Sequence, residues 1–309
     1  MKHKESFTLI EILVVIVIIG ILSAFVLVGM SSVTESANIT KSKAFSNSLR
    51  NSLLMNLVSE WKFDGPTMID NNATNEDAKD SWGNNNTSSV GGNPLVKGGT
   101  NCLSGKCVAF DGSGDYFSVL DSSTLDSIFG TENFTLEAWI YSIKSAAYQG
   151  IINKRTSNYF SASPGGLFID NNGDVLYFLI GTGNEAETIV STSYNIINLH
   201  DKWIHVVGTA GNGYMKLYIN SLQTTSPVAI TLDPPTNDEP MTIGAFYAGS
   251  RSFSGRIDEV KIYNNPVSVI KIEQNYFLGL NNLYKNRGIT LNEFNQRLTE
   301  LKHNLANNE

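Results

Sequence analysis

Glu11 makes the strongest chemical demand in this sequence. It stands immediately before Ile12–Met30, a run of 19 residues without a charged side chain. An ionised carboxylate buried in apolar surroundings costs several kcal/mol unless a cation partners it. Glu11 therefore calls for a counter-charge in or near a membrane. The other reactive groups are sparse. Two cysteines, Cys102 and Cys107, and four histidines, His3, His200, His205 and His303, do not supply a clustered four-ligand zinc set. On one strand His200 and His205 would face opposite ways, so each reads as an isolated packing or surface histidine. A retaining glycosidase needs two carboxylates about 5–5.5 Å apart. Glu137 stands alone on its predicted strand, and the adjacent Asp258 and Glu259 point to opposite sides. The sequence has no Ser/His/Asp context, no Gly-rich phosphate loop and no CxxC pair. It reads as non-catalytic, and a net charge of -7 argues against a nucleic-acid partner.

Three kinds of segment must position these groups. Residues 1–6 are short, polar and basic. The uncharged run after Glu11 would measure about 28 Å as a helix, enough to span a bilayer. Its lysines come first, so the basic end stays cytoplasmic and the remainder of the chain is exported. Phe45, Leu49, Leu53 and Leu57 then recur every four residues, and no proline precedes Pro66. One helix from Phe7 to Val58 is permitted, serving as membrane span and stalk. Over 59–265 the texture changes to short Val/Ile/Phe/Tyr/Trp runs between Gly, Asn, Asp and Ser clusters. Phe134, Leu136, Ala138 and Ile140 alternate along one run, and Met215, Leu217 and Ile219 along another. This period of two predicts half-buried strands in a sandwich or barrel. Residues 266–309 predict a helical hairpin: a helix over Ser268–Lys285, a break at Gly288, and a second helix started by Thr290 and Glu293 at capping-box spacing. Phe294, Leu298, Leu301 and Leu305 give that second helix an apolar stripe, to dock on a neighbour or on the sandwich.

The segment Ser6-Phe-Thr-Leu-Ile-Glu11, with the apolar run through Ala24, resembles the prepilin leader of type IV pilins and pseudopilins. The resemblance implies cleavage by a prepilin peptidase between Ser6 and Phe7, methylation of the new amino terminus, and a role for Glu11 in assembly. The physics agrees. A freed α-amino group at Phe7 is cationic and would pair with Glu11 of an adjoining subunit, which favours an open helical filament over storage in the bilayer. Ser6 departs from the glycine usual before the cut. The competing readings are a plain membrane anchor and a secretory signal cut near Leu22-Ser23-Ala24. The expected location is the inner membrane before assembly and a cell-surface filament after it. A large head suits a minor or tip subunit. In an exported domain, Cys102 and Cys107 are expected to form a disulfide.

A second resemblance covers about 200 residues. Glu60-Trp-Lys-Phe-Asp64, Asp80-Ser-Trp-Gly-Asn84, Ala109-Phe-Asp-Gly-Ser-Gly-Asp-Tyr116, Phe134-Thr-Leu-Glu-Ala-Trp139, Lys202-Trp-Ile-His-Val-Val-Gly208, Lys216-Leu-Tyr-Ile-Asn220 and Gly255-Arg-Ile-Asp-Glu-Val-Lys-Ile-Tyr263 occur in the order seen in laminin-G-like domains. The implied class is mainly β, a concanavalin A-like jelly roll. It also implies one structural Ca²⁺, whose ligands by resemblance are Asp64, Asp80, Asn85 and Asp258. Irregular parity of Ile257, Val260 and Ile262 predicts a bulge at Asp258. Asp111 and Asp115 are expected to serve turns around Gly112 and Gly114. Ser221 replaces a common turn glycine, predicting a longer or different turn. Tyr148, Tyr159, Phe160 and Tyr247 lie in loop-like surroundings where rings could stack on a sugar. The functional expectation is a filament subunit displaying a glycan- or protein-binding head; the competitors are a membrane-tethered lectin and a surface glycoside hydrolase.

Overall fold

Alternating apolar residues build strands from the first described positions onward. The computed structural model describes residues 56–155, 164–181, 189–231, 234 and 236–307. Ser6, Phe7, Glu11 and the uncharged run lie outside these residues, as do Tyr159 and Phe160. Among the described residues no helix is long and apolar enough to cross a membrane.

The strands in chain order are β1 (Leu57–Trp61), β2 (Thr87–Gly91), β3 (Leu95–Gly98), β4 (Lys106–Asp111), β5 (Tyr116–Val119) and β6 (Phe134–Ser142). Next come β7 (Gln149–Lys154), β8 (Gly165–Ile169), β9 (Val175–Gly181), β10 (Ile189–Asn195) and β11 (Trp203–Gly211). The last are β12 (Tyr214–Ile219), β13 (Leu222–Gln223), β14 (Val228–Ala229), β15 (Met241–Ile243) and β16 (Ser254–Tyr263). One sheet runs β13-β12-β11-β6-β16-β4-β3, with β1 added on β16 and β14 on β12; the other runs β10-β9-β8-β7-β15-β5-β2. Every pairing is antiparallel. The result is a two-sheet jelly roll. Helix α1 (Ser123–Phe129) lies between β5 and β6, and α2 (Val269–Lys285) and α3 (Leu291–Asn307) come after the last strand.

The core forms where the two sheets face. Phe134, Leu136, Ala138 and Ile140 of β6 and Met215, Leu217 and Ile219 of β12 point into it, opposite Leu176, Phe178 and Ile180 of β9. Each fully buried side chain of this size contributes about 1.5–3 kcal/mol by leaving water. The stalk helix expected over Phe7–Val58 does not include its last two residues. Leu57 and Val58 belong to β1, where Leu57, Ser59 and Trp61 point inward and the strand pairs with β16. Backbone hydrogen bonds to the final strand take these two residues into the sheet.

The expectation of half-buried strands fails for β6, which is covered on both faces. The cause is the hairpin of α2 and α3, which docks on the outer face of the first sheet. Tyr276 of α2 lies flat on Trp139, with centroids 5.7 Å apart and planes 12° apart. Gly279 makes this approach possible, since a Cβ there would overlap the indole ring. Leu280, Leu283 and Leu301 complete the contact with Trp203, Leu103 and the Cys102–Cys107 pair. Ser268 caps α2 through Lys271 N–H at 3.3 Å. Thr290 caps α3 through Glu293 N–H at 3.2 Å. The return half of the capping box is replaced: Glu293 accepts from Arg297 at 2.6 Å, and Arg297 also donates to the Trp203 carbonyl at 2.9 Å. That pair pins α3 to β11.

Two local details come from backbone angles. The register of β16 against β6 shifts between Asp258 and Lys261, and Glu259 sits at φ 48°, which is the bulge implied by the broken parity. It lets Ile257, Val260 and Ile262 all enter the core. The β12–β13 turn is not longer. Asn220 and Ser221 alone connect the strands, at φ 51° and 67°, so serine adopts the left-handed region usually left to glycine.

Candidate functional site

Glu137 is not solitary in three dimensions. His205 of β11 pairs directly with neighbours of β6, and its Nε2 lies 3.0 Å from Glu137 Oε1. Asn275 of α2 donates to both carboxylate oxygens at 2.9 Å and lies 3.2 Å from the Tyr263 hydroxyl. Lys261 Nζ approaches Glu259 to 3.0 Å, Glu60 to 3.7 Å and Glu137 to 4.0 Å. Burial pushes the Glu137 carboxyl up, but Lys261, His205 and Asn275 together overcome this and hold it at about 2. Burial also opposes the charge on Lys261, yet Glu259 and Glu137 raise its pKa well above the usual lysine value. A carboxylate only accepts, so His205 donates from Nε2; its Nδ1 has no partner among the described residues. Glu137 and His205 are both fully buried beneath α2, so the cluster fixes the hairpin and offers a substrate no access. His200, in turn, precedes β11 rather than sharing it, and its Nδ1 lies 3.0 Å from the Ser142 hydroxyl.

The four residues tied to calcium fall in two places. Asp80 accepts N–H bonds from Glu60, Trp82 and Gly83 through one oxygen and from Asn85 through the other. Asn85 in turn donates to Ser59 at 2.7 Å and accepts from Ser122 at 3.1 Å. Asp64 and Asp258 instead hold the disulfide-closed turn. Asp64 accepts from Lys106 N–H at 2.7 Å, and Asp258 from Leu103 and Ser104 at 3.1 and 3.3 Å. Cys102 and Cys107 are joined by a disulfide with Cα atoms 5.3 Å apart. Burial, then Glu259, raises Asp258 well above the carboxylate range. A calcium ion needs six to eight oxygens converging on one point. Here backbone N–H groups engage the carboxylates, no hydrogen bond or ion pair among the described residues joins the two pairs, and no metal-ligand group of three acids, histidines or cysteines occurs among them. These four residues do not fit a single calcium centre. Asp111 and Asp115 support the turn holding Gly112 and Gly114, through Ser113 N–H at 2.7 Å and Asp111 N–H at 2.9 Å.

The outer face of the second sheet carries a different constellation. Leu167 and Ile169 of β8 and Phe178 of β9 point to the core, so Phe168 and Tyr177 point away. These two are cross-strand partners and stack at 5.1 Å with planes 7° apart. Phe246, just after β15, meets Phe168 edge-on at 5.0 Å and Tyr148 at 5.7 Å. Two arginines enter this aromatic patch. Arg155 comes directly after β7 and lies 4.6 Å above the Phe246 ring; Arg251 lies 4.7 Å over Tyr148 and 5.3 Å over Phe246. Burial, then the charge of Arg251, lowers Arg155 to about 10, so it stays cationic at neutral pH. The loop aromatics Tyr148 and Tyr247 were legible in the sequence. The arginines were missed, because strands distant in sequence bring them together.

Residues 111–273 match the concanavalin A-like lectin/glucanases superfamily. The chain belongs to that superfamily. Residues 1–27 match the prokaryotic N-terminal methylation motif. No curated protein matches the chain. Among solved structures, the receptor binding domain of botulinum neurotoxin C/D mosaic serotype aligns with a TM-score of 0.54 and 21% identity, over 72% of this chain and 51% of that one. The binding domain of Paraclostridial Mosquitocidal Protein 1 aligns with a TM-score of 0.54 and 16% identity, over 74% of this chain and 53% of that one. The chain thus spans about half the length of these solved chains, and identities this low establish the shared jelly roll alone.

Proposed function

We propose that this protein is a type IV pilin-like subunit, a pseudopilin or minor pilin, displaying a non-catalytic jelly roll as an extracellular binding head for glycan or surface protein. The observation that carries the reading is the union, on one chain, of a methylation motif over residues 1–27 with a concanavalin A-like domain over 111–273. Glu11 lies inside that motif, where a carboxylate beside an uncharged run requires the freed Phe7 amino group of another subunit. Enclosure of Glu137 beneath α2 supports binding over hydrolysis. A membrane-tethered lectin is the second reading, favoured by Ser6 at the position before the cut.

Two measurements separate them. Mass spectrometry of the native chain should find a methylated amino terminus at Phe7; an intact Met1 supports the tether. Glu11→Gln and Glu11→Ala should both remain in the inner membrane and be depleted from sheared surface fibres. Normal incorporation of either variant refutes the pairing.

A further inference from the structure

We propose that the buried ammonium of Lys154 takes the place of a structural metal ion in the second sheet, filling an oxygen cage that binds a divalent cation once that side chain is removed. Strands β5, β15 and β7 are neighbours here: Met241 pairs with Val119 on one side and with Lys154 on the other. The chain segments at these strand ends therefore converge. Asp121 follows β5, Asp126 lies in α1, and Asn237 and Glu239 precede β15. Lys154 Nζ donates to the Asn237 carbonyl at 2.6 Å, to the Glu239 carbonyl at 2.8 Å, and to Asp121 Oδ1. Asp126 Oδ1 lies 3.7 Å from the same nitrogen. Two carboxylates and two backbone carbonyls around one buried point are the ligand types of a hard divalent cation.

The ammonium fills this cage incompletely. It has three N–H donors, and the bonds to Asp121, Asn237 and Glu239 account for three. Asp126 Oδ1 is left buried without a hydrogen-bond donor among the described residues. One positive charge also faces two carboxylates, whereas a divalent cation would match both and is not limited to three directed bonds. The oxygens have supports that do not involve Lys154. Glu239 N–H donates to Asn237 Oδ1 at 3.2 Å, and Asp126 N–H donates to the Ser122 carbonyl at 2.9 Å. Lys154 is fully buried, but the side chains of Asp121 and Asp126 are 25% and 30% exposed, so an ion can reach the cage from solvent when the lysine is gone. This separates the cation from Asp64, Asp80, Asn85 and Asp258, whose carboxylates and amide serve as local clamps. A tethered ammonium cannot dissociate, so the head keeps these segments together in calcium-poor surroundings, whether or not the chain assembles into a filament.

The test follows the thermal midpoint of the full-length protein in detergent micelles by near-ultraviolet circular dichroism, in chelator and in CaCl₂. The wild-type midpoint should be the same in both. Lys154→Ala leaves two carboxylates without their counter-charge and should lower the midpoint by about 10 °C in chelator. About 10 mM Ca²⁺ should return about half of that loss, as for a site of millimolar affinity. Lys154→Met keeps the cage filled by a neutral chain and should lose stability without recovery in Ca²⁺. Adding Asp126→Asn to Lys154→Ala should weaken the recovery about tenfold in Ca²⁺ concentration. If Lys154→Ala does not fold in chelator, refolding into Ca²⁺ replaces the midpoint, and failure to fold in both overturns the proposal. So does a wild type destabilised by chelation, a Lys154→Ala protein indifferent to Ca²⁺, or equal recovery in Lys154→Met. Recovery matched by NaCl at the same ionic strength reduces the effect to screening and also overturns it.

Discussion

Replacing Glu137 by Gln removes one charge from the cluster that holds α2 to the sheet, with almost no change of shape. The carboxyl ionises at 4.5 when free and at about 2 in the fold. Each pH unit of that difference is worth about 1.4 kcal/mol, so the ionised group contributes about 3 kcal/mol at neutral pH. The sign is that of a depressed acid. Its contribution is complete above the free value and is lost as the pH falls toward the folded one. Glu137→Gln should therefore lower stability by about 3 kcal/mol at pH 7, or roughly 6–12 °C in midpoint for a domain of this size. By pH 3 the wild-type advantage should shrink to about 1 kcal/mol. Near-ultraviolet circular dichroism reports this directly, because Trp139 packs against both His205 and Tyr276 at the same helix–sheet contact. Lys261 is not stranded in the variant, since Glu259 and Glu60 remain at 3.0 and 3.7 Å. A loss under about 1 kcal/mol at pH 7, or a gap that stays constant between pH 7 and pH 3, would refute the electrostatic account.

Two further substitutions test packing and backbone claims. Gly279→Ala forces a methyl group into the Trp139 ring; overpacking of about 1–3 kcal/mol outweighs a helix-propensity gain of up to about 1 kcal/mol. The variant should unfold at lower temperature with an altered tryptophan signal, and unchanged stability would mean that the helix does not press on the ring. Ser221→Gly relieves a left-handed serine, worth about 1–2 kcal/mol, and removes a buried hydroxyl without a partner among the described residues. Against this, the freer unfolded chain costs about 0.5–1 kcal/mol, leaving a net gain of roughly 1 kcal/mol in denaturant titration. A destabilised variant would contradict the turn geometry.

The sequence by itself determined the features that depend on a few neighbouring residues. Alternation in Phe134–Tyr141 specified a strand because successive side chains point to opposite sides. Thr290 marked the start of the second helix because a cap satisfies N–H groups only three residues away. Broken parity around Asp258 located the bulge, since an extra residue must flip the faces beyond it. The leader motif and Glu11 were equally local, and residues 1–27 match accordingly. Tertiary structure alone decided how distant groups meet. Glu137 finds His205 after 68 residues and Asn275 after 138, and no periodicity encodes either encounter. Asp64 and Asp258 go to the disulfide turn while Asp80 and Asn85 stay with β1, so a set read as one cation site is two backbone clamps. Arg155 and Arg251 both reach Phe246 because β15 pairs antiparallel with β7 and the segment after β15 returns along β7, where Gly150 N–H donates to Arg251 O. Strand order in a sandwich arises from the whole core reaching its closest packing, a property of all the strands together that no single stretch of chain contains.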